Sequence, residues 1–264
     1  MDELARTALL AAEAAAAVHR RHGGHVGVED ASEKSRADYV SRTDMEAQSA
    51  ALGVIQTRHP DHSVLAEEDD RSLSGRLAEW DGSPLWVVDP LDGTANFLHG
   101  HPYHCSSVAV AVDGRPVAGA VICAPTGERW WAARGTGAFK GGRRISTAPR
   151  RPLGQCLVGT GFPFKTMHQL ETFQGQLARV LGATSGVRRA GAAALDLCYL
   201  AQGSLDAFWE NYLNPWDFAA GWIIVEEAGG MVTRLDGSDL GLPDGSVVGA
   251  GSPALLEEFA ALLK

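Results

Sequence analysis

Apolar positions recur at helical spacing over residues 3–22, among strong helix formers, and the pattern stops at Gly23-Gly24. Residues 25–38 are polar and of mixed charge, which predicts a loop or a hairpin. A second helical pattern covers 45–58 and ends before Pro60. Two short apolar runs follow: 63–66 reads as a strand that delivers Glu67 and Glu68, and 85–88 as a strand that runs into Asp89. From Cys105 the pattern becomes β. Runs at 106–112 and 117–124 flank the turn Asp113-Gly114-Arg115-Pro116 and predict a hairpin. Pro125-Thr126-Gly127 is a further turn, 129–133 a further strand, and the Gly-rich segment 135–142 a turn. After Pro152 strands and helices alternate: strand 156–160, helix 169–181, a strand near Val187, helix 192–201, strand 205–209, and a helix over 217–227 stopped by Gly229-Gly230. Two short strands and a helix over 253–263 complete the pattern, which by itself supports a mixed α and β fold.

A chain of 264 residues can form one large domain or two small ones. Its 45% hydrophobic and 21% charged residues are those of an ordinary globular protein. The net charge of -9 argues against nucleic acid as a partner, because that surface is normally basic. No apolar run reaches the ~18–20 residues of a membrane span, and the first residues carry Asp2, Glu3, Arg6 and Glu13, unlike a signal peptide. Cys105, Cys123, Cys156 and Cys198 are far apart and read as reduced, buried thiols of a cytoplasmic protein. His19, His22 and His25, like His99, His101 and His104, lack a metal-site spacing and read as solvated.

The candidate chemistry lies where strand 85–88 meets Asp89-Pro90-Leu91-Asp92-Gly93-Thr94. Two carboxylates at a strand end, beside the unpaired N–H groups of a helix start, suit a hard cation such as Mg²⁺ and a phosphate together. Each acidic residue also has a plainer reading. Asp89 and Asp92 could serve turns. The run Glu67-Glu68-Asp69-Asp70 could be a solvated loop. Asp44 and Asp217 could be helix N-caps, and Glu210 a solvent-facing residue at a strand end.

The segment Asp89-Pro-Leu-Asp-Gly-Thr-Ala-Asn-Phe97, with Glu67-Glu68 before it and Trp216-Asp-Phe-Ala-Ala-Gly221 after it, resembles the inositol monophosphatase family of Mg²⁺-dependent, lithium-sensitive phosphomonoesterases. The similarity runs from Lys34 to Gly230. It implies an α+β / α/β fold, a layered α-β-α-β-α sandwich of the inositol monophosphatase and fructose-1,6-bisphosphatase type, in one unit over 1–264. A subdivision near residue 150 would separate a part with an antiparallel sheet (1–150) from an α/β part (151–264). The resemblance also implies a homodimer and two to three Mg²⁺ ions per site. By resemblance Asp89 bridges two ions, Glu67 and the Leu91 carbonyl hold the first, and Asp92 and Asp217 hold the second. Glu67 reaches a third through water. Thr94, bonded to Asp44, orients the attacking water with Glu67.

The N–H groups of Gly93 and Thr94 would bind phosphate, with Lys34 nearby, although the Lys34–Asp44 spacing is one residue shorter than in animal members. Ala193, in Gly191-Ala192-Ala193, and Glu210 match substrate-contacting positions. Family members often carry Ser or Thr at the place of Ala192. The implied substrate is a small phosphomonoester, foremost myo-inositol monophosphate. Histidinol phosphate, fructose 1,6-bisphosphate and phosphoadenosine phosphate are cleaved by relatives with the same metal motifs. An aspartyl-phosphate mechanism needs two Asp separated by one residue, and here two residues intervene. A Ca²⁺-stabilised binding module is the non-enzymatic alternative, and the Asp-Pro-Leu-Asp-Gly spacing is unlike an EF-hand loop.

Overall fold

Helix α1 (Glu3–His22) is capped by Asp2, whose carboxylate accepts the Ala5 N–H at 2.7 Å. Its buried face is largely alanine: Ala5, Ala8, Ala11, Ala12, Ala15 and Ala16. So small a side chain lets the helix lie close against its neighbours. The computed structural model describes residues 1–35, 38–69 and 71–264, without the side chains of residues 34, 35 and 38. Strands β1 (Ser32–Ser35) and β2 (Asp38–Val40) form an antiparallel pair, the first inside the segment 25–38 read as a loop or a hairpin and the second mostly beyond it. Helix α2 (Arg42–Arg58) begins three residues earlier than its pattern predicts, because Ser41 and Asp44 form a capping box.

Strand β3 (Ser63–Ala66), the short helix α3 (Leu73–Ala78) and strand β4 (Leu85–Asp92) lead into the one-turn helix α4 (Thr94–Leu98). A meander follows: β5 (Cys105–Val112), β6 (Arg115–Cys123), β7 (Arg129–Ala133), β8 (Gly137–Lys140) and β9 (Arg143–Ile145). Strands β3 to β9 lie in sequence order in one seven-stranded sheet, with β3 and β4 parallel and the other pairs antiparallel. The segment 135–142 is therefore not simply a turn. It contributes β8, paired Trp130 to Lys140 and Ala133 to Gly137, and leads into β9.

The rest of the chain comprises β10 (Leu157–Thr160), α5 (Leu170–Ala183), β11 (Gly186–Arg188), α6 (Ala193–Ala201), β12 (Ala207–Glu210), α7 (Pro215–Glu227), β13 (Met231–Thr233), β14 (Val247–Ala250) and α8 (Pro253–Leu263). Its strands form a second sheet in the order β11-β10-β12-β14-β13, where β10 runs parallel to both β11 and β12.

The layers follow from which faces are apolar. On β4, Trp86 and Val88 join the core beneath α1 and α2, and Leu85 and Val87 join the core on the opposite face. That second core holds α6 and α7 between the two sheets. Helix α7 is buried nearly all round, from Trp216 to Val225, as a helix covered on two faces must be. Helices α5 and α8 cover the outside of the smaller sheet through Phe173, Val180, Leu255 and Phe259. The result is the α-β-α-β-α sandwich that the resemblance implied.

Candidate active site

The two parallel strand sets point their carboxyl ends at one cleft, the usual place for a ligand in sheets of this kind. Ala66 is in register with Val88, and the Glu67 N–H donates to the Val88 carbonyl at 3.1 Å, so Glu67 and Asp89 leave neighbouring strands side by side. Sequence pattern ended the second strand at Val88. The structure carries β4 on to Asp92, through a bulge: Asp89 faces Ser107 and Asp92 faces Cys105, so two residues of β4 oppose the single Ser106. Residues three apart on a regular strand point to opposite faces, and the extra residue returns Asp92 to the face of Asp89. The Leu91 N–H donates to Asp89 Oδ1 at 2.9 Å, so the turn role is real and shares the carboxylate with the cleft. The Leu91 side chain is anchored among Val26, Phe97 and Leu98, and its carbonyl oxygen lies 3.0 Å from Thr94 Oγ1, a second acceptor within reach of that hydroxyl.

Gly93 has φ of 89°, and a Cβ there would sit 3.0 Å from the Tyr103 carbonyl oxygen, so glycine is required by conformation and by space. The first amides of α4 have no intrahelical partner and lie along the cleft. Thr94 Oγ1 donates to Asp44 Oδ1 at 3.0 Å. Asp44 is fully buried, and its Oδ2 accepts both the N–H and the hydroxyl of Ser41 at 2.7 Å. It stands at the third helical position, not at the N-cap. Asp217 likewise sits inside α7: Asn214 is the cap, and its N–H donates to Asp217 Oδ2 at 2.6 Å. Asp92 Oδ2 accepts the Ala194 N–H at 2.8 Å, so a carboxylate from β4 serves the start of α6, where Ala192 has no side chain able to do so.

Strand β12 delivers Glu210. Thr160 is in register with Trp209, which places Gly161 against Glu210, and a Cβ at Gly161 would come within 1.7 Å of Glu210 Oε1. The glycine makes room for the carboxylate. One cavity of about 190 Å³ is lined by Glu67, Asp89, Leu91, Asp92, Gly93, Thr94, Ala193, Glu210 and Asp217. Asp44 stands behind them, connected through Thr94. The Lys34 side chain and Asp70 lie outside the described residues.

Electrostatics single out this cluster. Burial first, then the charges of Glu67, Asp92 and Asp217, push Asp89 well above the usual carboxylate range, and Asp89 is hydrogen-bonded to Glu67. Burial and Asp217 push Asp92 to about 8 despite the Ala194 N–H. Burial also raises Glu210, with Asp196, Asp217 and Asp92 adding to it and Arg189 opposing. So many crowded carboxylates are destabilising without a cation among them. Among the described residues no three His, Cys, Asp or Glu side chains are already set as a metal's ligand shell. The donor chemistry nonetheless fits a hard divalent ion: carboxylate oxygens and the Leu91 carbonyl, with no nitrogen or sulfur ligand.

Sequence reasoning missed the opposite wall. Phe162, Phe164, Lys165 and Arg189 line the same cavity, and the Arg189 guanidinium lies over both phenyl rings, 5.3 and 5.0 Å from their centroids. The available signal was position, since these residues directly follow β10 and β11. The histidine reading also needs correction. His25, His99 and His101 are exposed, but His19, His22 and His104 are buried. His19 and His104 are buried where α1 packs on the β4–α4 region, and His22 where α1 meets α2 at Thr43, contacts that no local pattern announces.

Comparison with known proteins matches residues 1–264 to the model of the inositol monophosphatase family. The "Nus factor SuhB" of Pseudomonas aeruginosa is 38% identical over 266 residues, covering all of this chain and 95% of that protein. An inositol-1-monophosphatase of Mesorhizobium japonicum is 39% identical over 250 residues, covering 93% of this chain and 92% of that protein. Among solved structures, the extragenic suppressor protein suhB from Bartonella henselae superposes with a TM-score of 0.89 at 35% identity, covering 98% of this chain and 97% of that one.

Proposed function

The chain belongs to the inositol monophosphatase family, and from that premise we propose that it hydrolyses a small phosphomonoester with Mg²⁺, myo-inositol monophosphate being the foremost substrate. The observation that carries the reading is the convergence of Glu67, Asp89, Asp92 and Asp217 on one cavity, beside the amides of Gly93 and Thr94 and the Asp44–Thr94 pair. Mg²⁺ held by these carboxylates and the Leu91 carbonyl would supply Lewis acidity toward the phosphate and acidify a water.

The protein's own groups then act in defined ways. The Gly93 and Thr94 N–H groups donate to a phosphate oxygen. Thr94 gives its only hydroxyl proton to Asp44, which leaves its lone pairs to receive a proton of the attacking water. Glu67 holds that water from the other side. The water oxygen forms the new bond to phosphorus as one of its protons passes through Thr94 to Asp44, the ester P–O bond breaks, and the departing alkoxide takes up a proton from solvent water. Glu210, which lines the cavity together with Ala193, accepts hydrogen bonds from substrate hydroxyls. The resemblance carries a homodimer into the proposal. No helix of the described residues is long and apolar enough to cross a membrane.

The test is phosphate release from inositol monophosphate, histidinol phosphate, fructose 1,6-bisphosphate, phosphoadenosine phosphate and p-nitrophenyl phosphate, with Mg²⁺ and with chelator. Asp89→Asn should lose about 10³-fold or more in kcat while its circular dichroism spectrum stays native. Absence of Mg²⁺-dependent release from every ester, or an Asp89→Asn variant with half of wild-type activity, overturns the reading.

A further inference from the structure

The last turn of α1 reaches the bulge that aims Asp89. His19, 1% exposed, places Nε2 2.7 Å from the carbonyl oxygen of Pro90, 71 residues away. A carbonyl can only accept, so Nε2 carries the proton and donates, and Nδ1 is bare. That Nδ1 is buried without a partner, which commits the imidazole to the one hydrogen bond to Pro90. Burial, with His104 close by, keeps the ring neutral and drives its pKa down to about 3.

The Pro90 carbonyl belongs to the same peptide unit as the Leu91 N–H, and a peptide unit is a rigid plane. At one end of that plane His19 holds the oxygen; at the other the N–H holds Asp89 Oδ1 at 2.9 Å. The plane lies where the bulge interrupts regular pairing between β4 and β5, so the ladder constrains it less than elsewhere. Rotating it would release Asp89 and turn the following Leu91 carbonyl, which Thr94 Oγ1 also contacts. We propose that His19 is a positioning residue which, through the Pro90–Leu91 peptide, fixes the direction of the Asp89 carboxylate and the Leu91 carbonyl. The inference rests on the metal-binding role given above to those two groups.

A cavity of about 240 Å³ lined by His19, Phe97, Gly100 and His104 lies beside the ring, which provides an entry for a small molecule. The experiment compares wild type, His19→Leu, His19→Gln and His19→Ala by calorimetric Mg²⁺ titration, and by hydrogen exchange of the Leu91 amide in metal-free protein. His19→Leu should weaken Mg²⁺ about 10-fold or more, the range for lost support of a metal ligand, and its Leu91 amide should exchange faster. His19→Gln, which can still donate, should stand nearer to wild type. Imidazole added to His19→Ala should restore Mg²⁺ affinity and leave wild type unaffected. A folded His19→Leu with wild-type affinity and exchange overturns the inference. So does His19→Gln as impaired as His19→Ala together with no imidazole rescue, and this pair decides the matter if His19→Leu does not fold. A wild type that binds no Mg²⁺ overturns the phosphatase reading instead, and exchange at Leu91 then decides the role of His19.

Discussion

Asp44→Asn separates the two duties of one buried carboxylate. In the native protein Oδ2 accepts two bonds from Ser41 and Oδ1 accepts one from Thr94. In the variant the amide oxygen can keep both Ser41 bonds, and the amide nitrogen must face Thr94. Thr94 then becomes an acceptor toward residue 44 and has to donate elsewhere, for which the Leu91 carbonyl at 3.0 Å is ready. The number of hydrogen bonds made by residue 44 is conserved. Each loses its charge assistance, and the variant escapes the burial of a carboxylate whose pKa is raised chiefly by desolvation. These effects oppose one another, so stability should change by no more than about 1 kcal/mol, or about 2–4 °C in melting temperature at this size. The loss in catalysis should be far larger, because residue 44 is no longer a carboxylate able to take the proton that Thr94 receives from the water. Removal of such proton-handling costs about 10²–10⁴-fold in kcat, equivalent to about 3–5 kcal/mol on the barrier. The assay is phosphate release from inositol monophosphate at saturating Mg²⁺, paired with thermal melting by circular dichroism. A kcat within about threefold of wild type, less than 1 kcal/mol, would refute the role of the pair. A melting temperature lower by well over 10 °C would show that the loss is structural.

Glu210→Gln should impair turnover of inositol monophosphate more than that of p-nitrophenyl phosphate, because only the first offers hydroxyls to the residue; equal losses in kcat/KM on both would remove its part in specificity. Asp196, which accepts the Tyr103 hydroxyl at 2.6 Å, is pushed to about 7, mainly by burial. A folded-state pKa above the unfolded one means that the folded protein is penalised as pH rises from the ordinary carboxylate range to about 7, and fully so above it. Asp196→Asn should therefore melt higher than wild type at pH 8, by a few kcal/mol at most, and lose that advantage near pH 4; a pH-independent difference would contradict the assignment. Gly119 lies under α7, where an added Cβ would meet Ala220 Cα at 2.9 Å and Ile223 Cγ2 at 3.0 Å. Gly119→Ala should cost about 1–3 kcal/mol by overpacking, read as a lower melting temperature. It should also weaken Mg²⁺ binding, because α7 carries Asp217; an unchanged melting curve would show that α7 yields freely.

Local chemistry determined much of this protein by itself. Residues 3–22, 63–66, 129–133 and 253–263 carry their element boundaries in periodicity, caps and glycines, because those signals act within a few residues. The order of Glu67, Asp89, Asp92 and Asp217 after apolar runs was legible for the same reason, and so was the family resemblance. Tertiary structure decided where these groups point. The bulge that turns Asp92 to the side of Asp89 exists only by pairing with β5, and the residue that caps α6 comes from β4, 102 positions earlier. β8 looks like a glycine turn until the edge of β7 offers it a ladder, and β9 then pairs with β8. Arg189 and Phe162 become a wall of the cavity only when β10 and β11 align in parallel. His19 reads as a solvated residue at a helix end until an alanine face brings α1 close enough for its ring to reach Pro90. Propensity and periodicity are short-range properties of the chain, whereas the direction of a side chain in a site is set by contacts between segments that only packing brings together.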